Sequence, residues 1–134
     1  MAKGILDTST LLLLPRLTET EALPGEPLIT AITLAELSVG PLVATTDAER
    51  AARQAHLQQA EADFEPIPFD ATAARQFGQV AAALRRQGRK PAARSYDAMI
   101  AAIALAHDLP VHTGNPEDFR GIDGVQVVAV PVPE

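Results

Sequence analysis

Apolar residues fall along this chain in short blocks whose spacing switches between strand-like and helical. Lys3 to Leu6 predicts a short strand ending at Asp7, and Asp7-Thr8-Ser9 then opens a helical run through Leu14 that Pro15 helps to end. Gly25 and Pro27 mark a loop before a second predicted strand, Leu28 to Ile32. Thr33 is the expected N-cap of the next helix, with Glu36 three positions on and Leu34, Leu37 and Val39 as its apolar positions. Thr46 and Glu49 repeat that spacing ahead of a polar, alanine-rich helix from Asp47 to about Asp63. Glu65 to Phe69 carries two prolines and predicts only a short or edge strand, because proline donates nothing to a ladder. Asp70 should cap a helix through Arg86, with Ala74, Phe77, Val80, Ala81 and Leu84 on one face and Gly88 just past the end. The chain closes with a helix carrying Asp97, a strand from Pro110 to Thr113 and a last strand from Val125 to Val130. Strands separated by helices imply one α/β layer fold over residues 1–134 with a mainly parallel sheet.

One of these helices differs from the rest. From Ala98 to Ala106 it runs nine residues without a charge, too apolar all round for one face to meet water, so it belongs in the core. Its first turn nevertheless carries Asp97. A helix of about 13 residues covers roughly 20 Å, and a strand of four or five retraces most of that distance, so Thr113 and Asn115 should return to the neighbourhood of Asp97. Asp7 ends the first strand and Glu36 is expected in the first turn of the helix after the second. Both then lie on the rim at the carboxyl ends of the parallel strands, where open α/β sheets bind ligands. Four segments thus deliver Asp7, Glu36, Asp97 and the loop from Asn115 to Asp118 to one place.

Composition narrows the chemistry. The chain is 47% apolar and 4% aromatic, so its core is aliphatic. It has no cysteine, which excludes disulfides and thiolate metal sites and fits a reducing cytoplasm. The leucine run at 11 to 14 is too short for a secretory leader and nothing approaches a bilayer span, so no membrane role is expected. A net charge of −6 and a pI near 5.0 argue against nucleic-acid binding by bulk charge. Yet five of the eleven basic residues, Arg85, Arg86, Arg89, Lys90 and Arg94, fall within ten positions just before Asp97. They read either as a solvated helix end or as phosphate contacts beside the acids.

Gathering carboxylates at the edge of an apolar core is costly, and something must offset the repulsion. Oxygen-only ligands suit a hard cation, Mg²⁺ or Mn²⁺, and the implied reaction is metal-dependent phosphodiester hydrolysis. Each acid also has a plain structural role: Asp7 as a helix cap, Glu36 as the far half of a capping box with Thr33, Asp97 as a favourable charge at a helix start. Thr8 and Ser9 can bond a metal's water or simply the local backbone. Arg94 suits RNA or an acid of the site. None of the three histidines, at 56, 107 and 112, has ligand spacing.

The opening ILDTS, the segment TLAEL and the run YDAMIAAIALAHDLPVHTGNPEDF, taken in order, resemble the PIN-domain ribonucleases, in particular the VapC-type toxins of bacterial toxin–antitoxin pairs. The resemblance covers nearly the whole chain. It implies an α/β/α sandwich, Mg²⁺ or Mn²⁺ dependence, endonucleolytic cleavage of RNA, a homodimer, and inhibition by a VapB-like antitoxin whose tail occupies the active-site groove. By position Asp7, Glu36 and Asp97 match the family's first three acids, and Thr113 matches the small polar residue that ends the fourth strand. Where many members carry a fourth acid, this chain has Asn115, with Asp118 three residues further on. Other functions remain in view: a haloacid-dehalogenase-like phosphatase, which wants a second acid where Ser9 stands; a phospho-receiver, which wants a lysine late in the chain; and a catalytically silent RNA- or partner-binding domain.

Overall fold

The computed structural model describes residues 2–90 and 94–133. Among them, four strands form one parallel sheet in the order β2-β1-β3-β4: β1 Lys3–Leu6, β2 Glu26–Leu28, β3 Val111–Thr113 and β4 Val127–Ala129. Helices α1 (Thr8–Leu13), α2 (Ala31–Val39), α3 (Asp47–Asp63), α4 (Ala71–Arg86) and α5 (Ser95–His107) flank it. This is the expected α/β/α layering. Pro27 is tolerated in β2 because that strand is an edge. No helix among the described residues is long and apolar enough to cross a membrane.

The core is built on α5. Ala98, Ile100, Ala101, Ala102, Ile103 and Ala104 are all fully buried, as the uncharged run predicts. Their small side chains let α4 approach closely through Val80, Ala83 and Leu84. Asp108 ends α5 in the left-handed region at φ 52°, and the Leu109 amide caps back onto Ala104 O at 2.9 Å. The chain thereby reverses directly into β3. A second, smaller cluster of Ile29, Leu37 and Ala60, with Leu11, Leu57 and Phe64 against it, ties α1, α2 and α3 together.

The last strand is shorter than expected, Val127–Ala129 rather than Val125 to Val130, and two boundaries around α2 move. The second strand is Glu26–Leu28 rather than Leu28 to Ile32, and α2 is capped by Thr30, whose hydroxyl accepts from the Thr33 amide at 3.3 Å, not by Thr33. The cause is a distant pairing. Ile67 donates to Ile29 O at 3.0 Å and accepts from the Ala31 amide at 2.8 Å, which holds Thr30 extended and starts the helix at Ala31. That bridge is all the strand character that the proline-bearing segment around Ile67 retains.

Beneath β3, His112 lies over Gly4, where any Cβ would collide with its ring, and its Nδ1 meets Ala22 O at 2.6 Å. The loop leading to β2 is pinned to the sheet by this contact.

Candidate active site

Asp7 follows β1 and caps α1, and it is nearly inaccessible at 2% exposure. Its Oδ1 accepts from the Thr10 amide at 3.2 Å and from the Thr10 hydroxyl in a short bond. Its Oδ2 accepts from Thr113 Oγ1 at 2.7 Å, with Ser9 Oγ at 3.5 Å. The hydroxyls themselves are oriented by backbone: Gly114 N donates to Thr10 Oγ1 and Asn115 N to Thr113 Oγ1, each at 3.0 Å. The ends of β1 and β3 are thus locked together through one carboxylate. Helix cap and site residue are the same group here.

Starting α2 at Ala31 moves Glu36 into the second turn, which removes the capping box that competed with a functional role. Instead Glu36 Oε1 accepts from Thr8 Oγ1 at 2.7 Å. Thr8 Oγ1 is also 2.9 Å from Thr33 Oγ1, and since a hydroxyl has one proton, Thr33 must donate to Thr8 and Thr8 to Glu36. Burial raises the Glu36 pKa, the Thr8 bond opposes that rise, and Asp7 adds to it. Thr8→Val should therefore raise the Glu36 pKa further, checked by an NMR pH titration of its carboxyl carbon. An unchanged titration would show that the bond does not form in solution.

Asp97, in the first turn of α5, has its carboxyl pushed up to about 6. Burial is the largest cause, followed by the charges of Asp118, Asp7 and Glu36, with Arg94 opposing. The charges of Asp7 after β1, Glu36 on α2 and Asp118 in the turn Pro116–Phe119 are thus all felt at Asp97 on α5, from the four segments that the helix and strand lengths point to. Asp118 is half-buried, and its Oδ1 is 3.5 Å from Arg94 Nη1. Asn115 is exposed, and its carbonyl accepts from the Asp118 amide at 3.1 Å. Of the two residues offered for the fourth position, Asp118 is the more buried, and its charge is felt at Asp97.

The basic residues are held in different ways. Arg94 reaches the acids, whereas Arg89 donates to Arg120 O, beside a Gln87 Nε2 bond to Gly121 O of 2.6 Å. Arg85, Arg86 and Lys90 are exposed. Tyr96, at 54% exposure, stands in solvent next to Asp97 rather than packing in the core. Thr10 and Thr33 were absent from the sequence-derived site. The spacing Asp7-x-x-Thr10 carried a signal, because a side chain three residues past a cap lies back over it; nothing local marked Thr33.

Among the described residues no three acids stand close enough to enclose a cation by themselves. An ion at this rim would take one or two carboxylates directly and complete its shell with water and phosphate oxygens, the habit of Mg²⁺ rather than of a caged Ca²⁺. The donor set, all oxygen with the nearest cation already paired to Asp118, fits such an ion.

A parallel α/β/α sheet whose carboxyl rim gathers acids from four segments, two of them oriented by threonine hydroxyls, defines a class of acid-site α/β proteins. Comparison with known proteins narrows it. The PIN domain family profile matches residues 5–125, and the chain belongs to the PIN-domain family. It is 38% identical over 131 residues, 96% of its own length and 94% of the relative's, to Ribonuclease VapC5 of Mycobacterium tuberculosis. Its fold superposes with a TM-score of 0.84, at 39% identity over 97% of this chain and 100% of the other, on a VapBC-5 toxin–antitoxin structure from the same organism. A DNA-bound VapBC structure from Salmonella typhimurium matches with a TM-score of 0.76 at 28% identity, over 96% and 98% of the two chains.

Proposed function

We propose that residues 1–134 act as one nuclease domain, a divalent-metal-dependent endoribonuclease serving as the toxin of a toxin–antitoxin pair in the cytoplasm. The observation that carries this reading is the acid set at the sheet's carboxyl rim, where Asp7 is locked between β1 and β3 by Thr10 and Thr113 and the Asp97 pKa is pushed up by burial and three other carboxylates. So much negative charge at the edge of a core is relieved by a hard cation, Mg²⁺ or Mn²⁺. When bound, the ion supplies positive charge at a phosphodiester and acidifies water beside it. Asp7 is held in place for that ion by Thr10 and Thr113. Glu36, with its raised pKa, is suited to take the proton of the attacking water. Asp97 and Asp118 complete the acid set, and Ser9 borders it. Arg94 exchanges Asp118 for an RNA phosphate, while Arg85, Arg86, Arg89 and Lys90 extend the phosphate track as the strand leaves the site.

The antitoxin partner is supported by the relatives, one of them named as a ribonuclease and the others as VapBC assemblies. A groove lined by Leu11, Leu12, Leu14, Pro15, Ala60 and Phe64, with His56, Gln59 and Asp63 at its polar edge, suits an amphipathic segment of such a partner. Leu42 and Val43, 84% and 60% exposed, offer apolar surface for a second copy of the chain.

The test is cleavage of labelled RNA by purified protein. Products should form with Mg²⁺ or Mn²⁺, vanish on chelation and return with excess metal. Adding the product of an adjacent antitoxin reading frame should suppress them. Cleavage that survives chelation overturns the metal site, and failure to cleave with either ion overturns the nuclease.

A further inference from the structure

We propose that the cavity between α1, α2 and α3, beside Glu36, receives one base of the RNA next to the scissile phosphate, with His56 and Arg53 as its recognition groups. This deepens the ribonuclease reading and rests on it. The cavity is lined by Thr8, Leu12, Glu36, Leu37, Arg53 and His56 and holds about 240 Å³. Pockets for drug-sized ligands run from about 300 to 1,000 Å³, so this one suits a single flat ring system. Thr8 and Glu36 belong to the acid site, so whatever fills the cavity lies next to the reacting group.

The walls suit a base. Leu12 and Leu37 supply apolar faces. The Arg53 guanidinium is fixed before any ligand arrives, by Gly40 O at 3.0 Å from Nη1 and by Glu49 Oε1 at 3.2 Å from Nη2, with 38% of its side chain still exposed. Gly40 permits this, since a Cβ there would sit 3.3 Å from Arg53 Cδ. A planar cation held in advance loses little entropy when a base stacks on it. His56, three residues on along the same face of α3, is exposed and adds a ring that both stacks and hydrogen-bonds base edges. Arg94 stands at the Asp118 end of the acid cluster and Arg53 at the Glu36 end. A strand crossing the acids would meet a cation on either side of the cut.

The experiment uses the Mg²⁺-activated full chain, an RNA pool randomised around a cleavable core, and an oligonucleotide with an abasic residue at the preferred position. Parent protein should show a base preference at one position beside the cut, and the abasic substrate should lose roughly tenfold in rate, the scale of one lost stacking contact. His56→Ala, at an exposed helix position, should flatten that preference and lose little more on the abasic substrate. An unchanged sequence profile in His56→Ala overturns the proposal, whatever becomes of inhibition by the antitoxin, whose proposed groove His56 also borders. Failure of the parent to cleave any RNA overturns the ribonuclease reading itself, and this inference with it.

Discussion

Asp97→Asn should abolish metal-dependent cleavage and, without metal near neutral pH, give a protein that is thermally more stable than the parent. The two halves have one cause. Asp97 is half-buried at the head of α5, where burial and the charges of Asp118, Asp7 and Glu36 oppose its ionisation and raise its pKa from 3.8 to about 6. The folded state therefore holds that proton more tightly than the unfolded chain does. By linkage, the contribution of Asp97 to stability is most favourable below pH 3.8, falls as pH rises between 3.8 and 6, and stays low above that. The uncharged amide does not titrate, so the melting temperature of the variant should exceed the parent's increasingly across this window and then by a constant margin. Added Mg²⁺ should reverse the order, because the proposed ion would stabilise the folded parent more than a variant lacking one of its carboxylates. Removing a metal-directed carboxylate costs several kcal/mol of transition-state stabilisation, so the expected rate loss is about a thousandfold or more. Melting curves from pH 3.5 to 8 with and without Mg²⁺, beside cleavage rates, check both halves. A variant melting below the parent at pH 7.5 without metal would show that Asp97 is held by structural contacts instead of strained by its neighbours.

The sequence made Asp97 legible because its cause is geometric and local: an uncharged helix must be buried, and a short parallel strand must carry the chain back to the helix's beginning. Glu36 was placed on the right rim by the wrong local feature. Thr30 and Thr33 are equally good caps, and the choice between them is made by Ile67, far along the chain, which no periodicity reveals. Once that pairing starts α2 at Ala31, Glu36 is freed from capping and Thr33 joins Thr8 behind it. The loop from Asn115 to Asp118 follows a similar course. Whether Asn115 or Asp118 turns toward α5 depends on the short turn Pro116–Phe119, which is anchored by Phe119 at 2% exposure. Spacing along the chain says nothing of where a loop folds back, so the different bonds of Arg89 and Arg94 could not be read from it. The 120–121 turn takes up Gln87 and Arg89 and leaves Arg94 alone among the acids.

Asp7 is expected to separate structure from chemistry by the choice of replacement. Asp7→Ala removes the acceptor of four donors at once: the Thr10 amide and hydroxyl, the Thr113 hydroxyl and, at longer range, the Ser9 hydroxyl. Loss of the α1 cap alone costs about 1 kcal/mol. Each of the two buried hydroxyls left without an acceptor adds about 1–3 kcal/mol, so the total comes to roughly 3–7 kcal/mol, a large share of the stability of a chain this size. Asp7→Asn keeps an acceptor oxygen for the amide and one hydroxyl, and its NH₂ can be accommodated because a threonine hydroxyl can accept as well as donate. Its cost should stay near 1–2 kcal/mol. Both variants lose the charge offered to the ion, and both should cleave RNA at least about a thousandfold more slowly. Urea unfolding monitored by circular dichroism, compared with cleavage by the same preparations, separates the two roles. If Asp7→Ala proves as stable as Asp7→Asn, the threonine bonds do not hold the ends of β1 and β3 together. If Asp7→Asn keeps parental cleavage, the carboxylate at the end of β1 is a cap and nothing more.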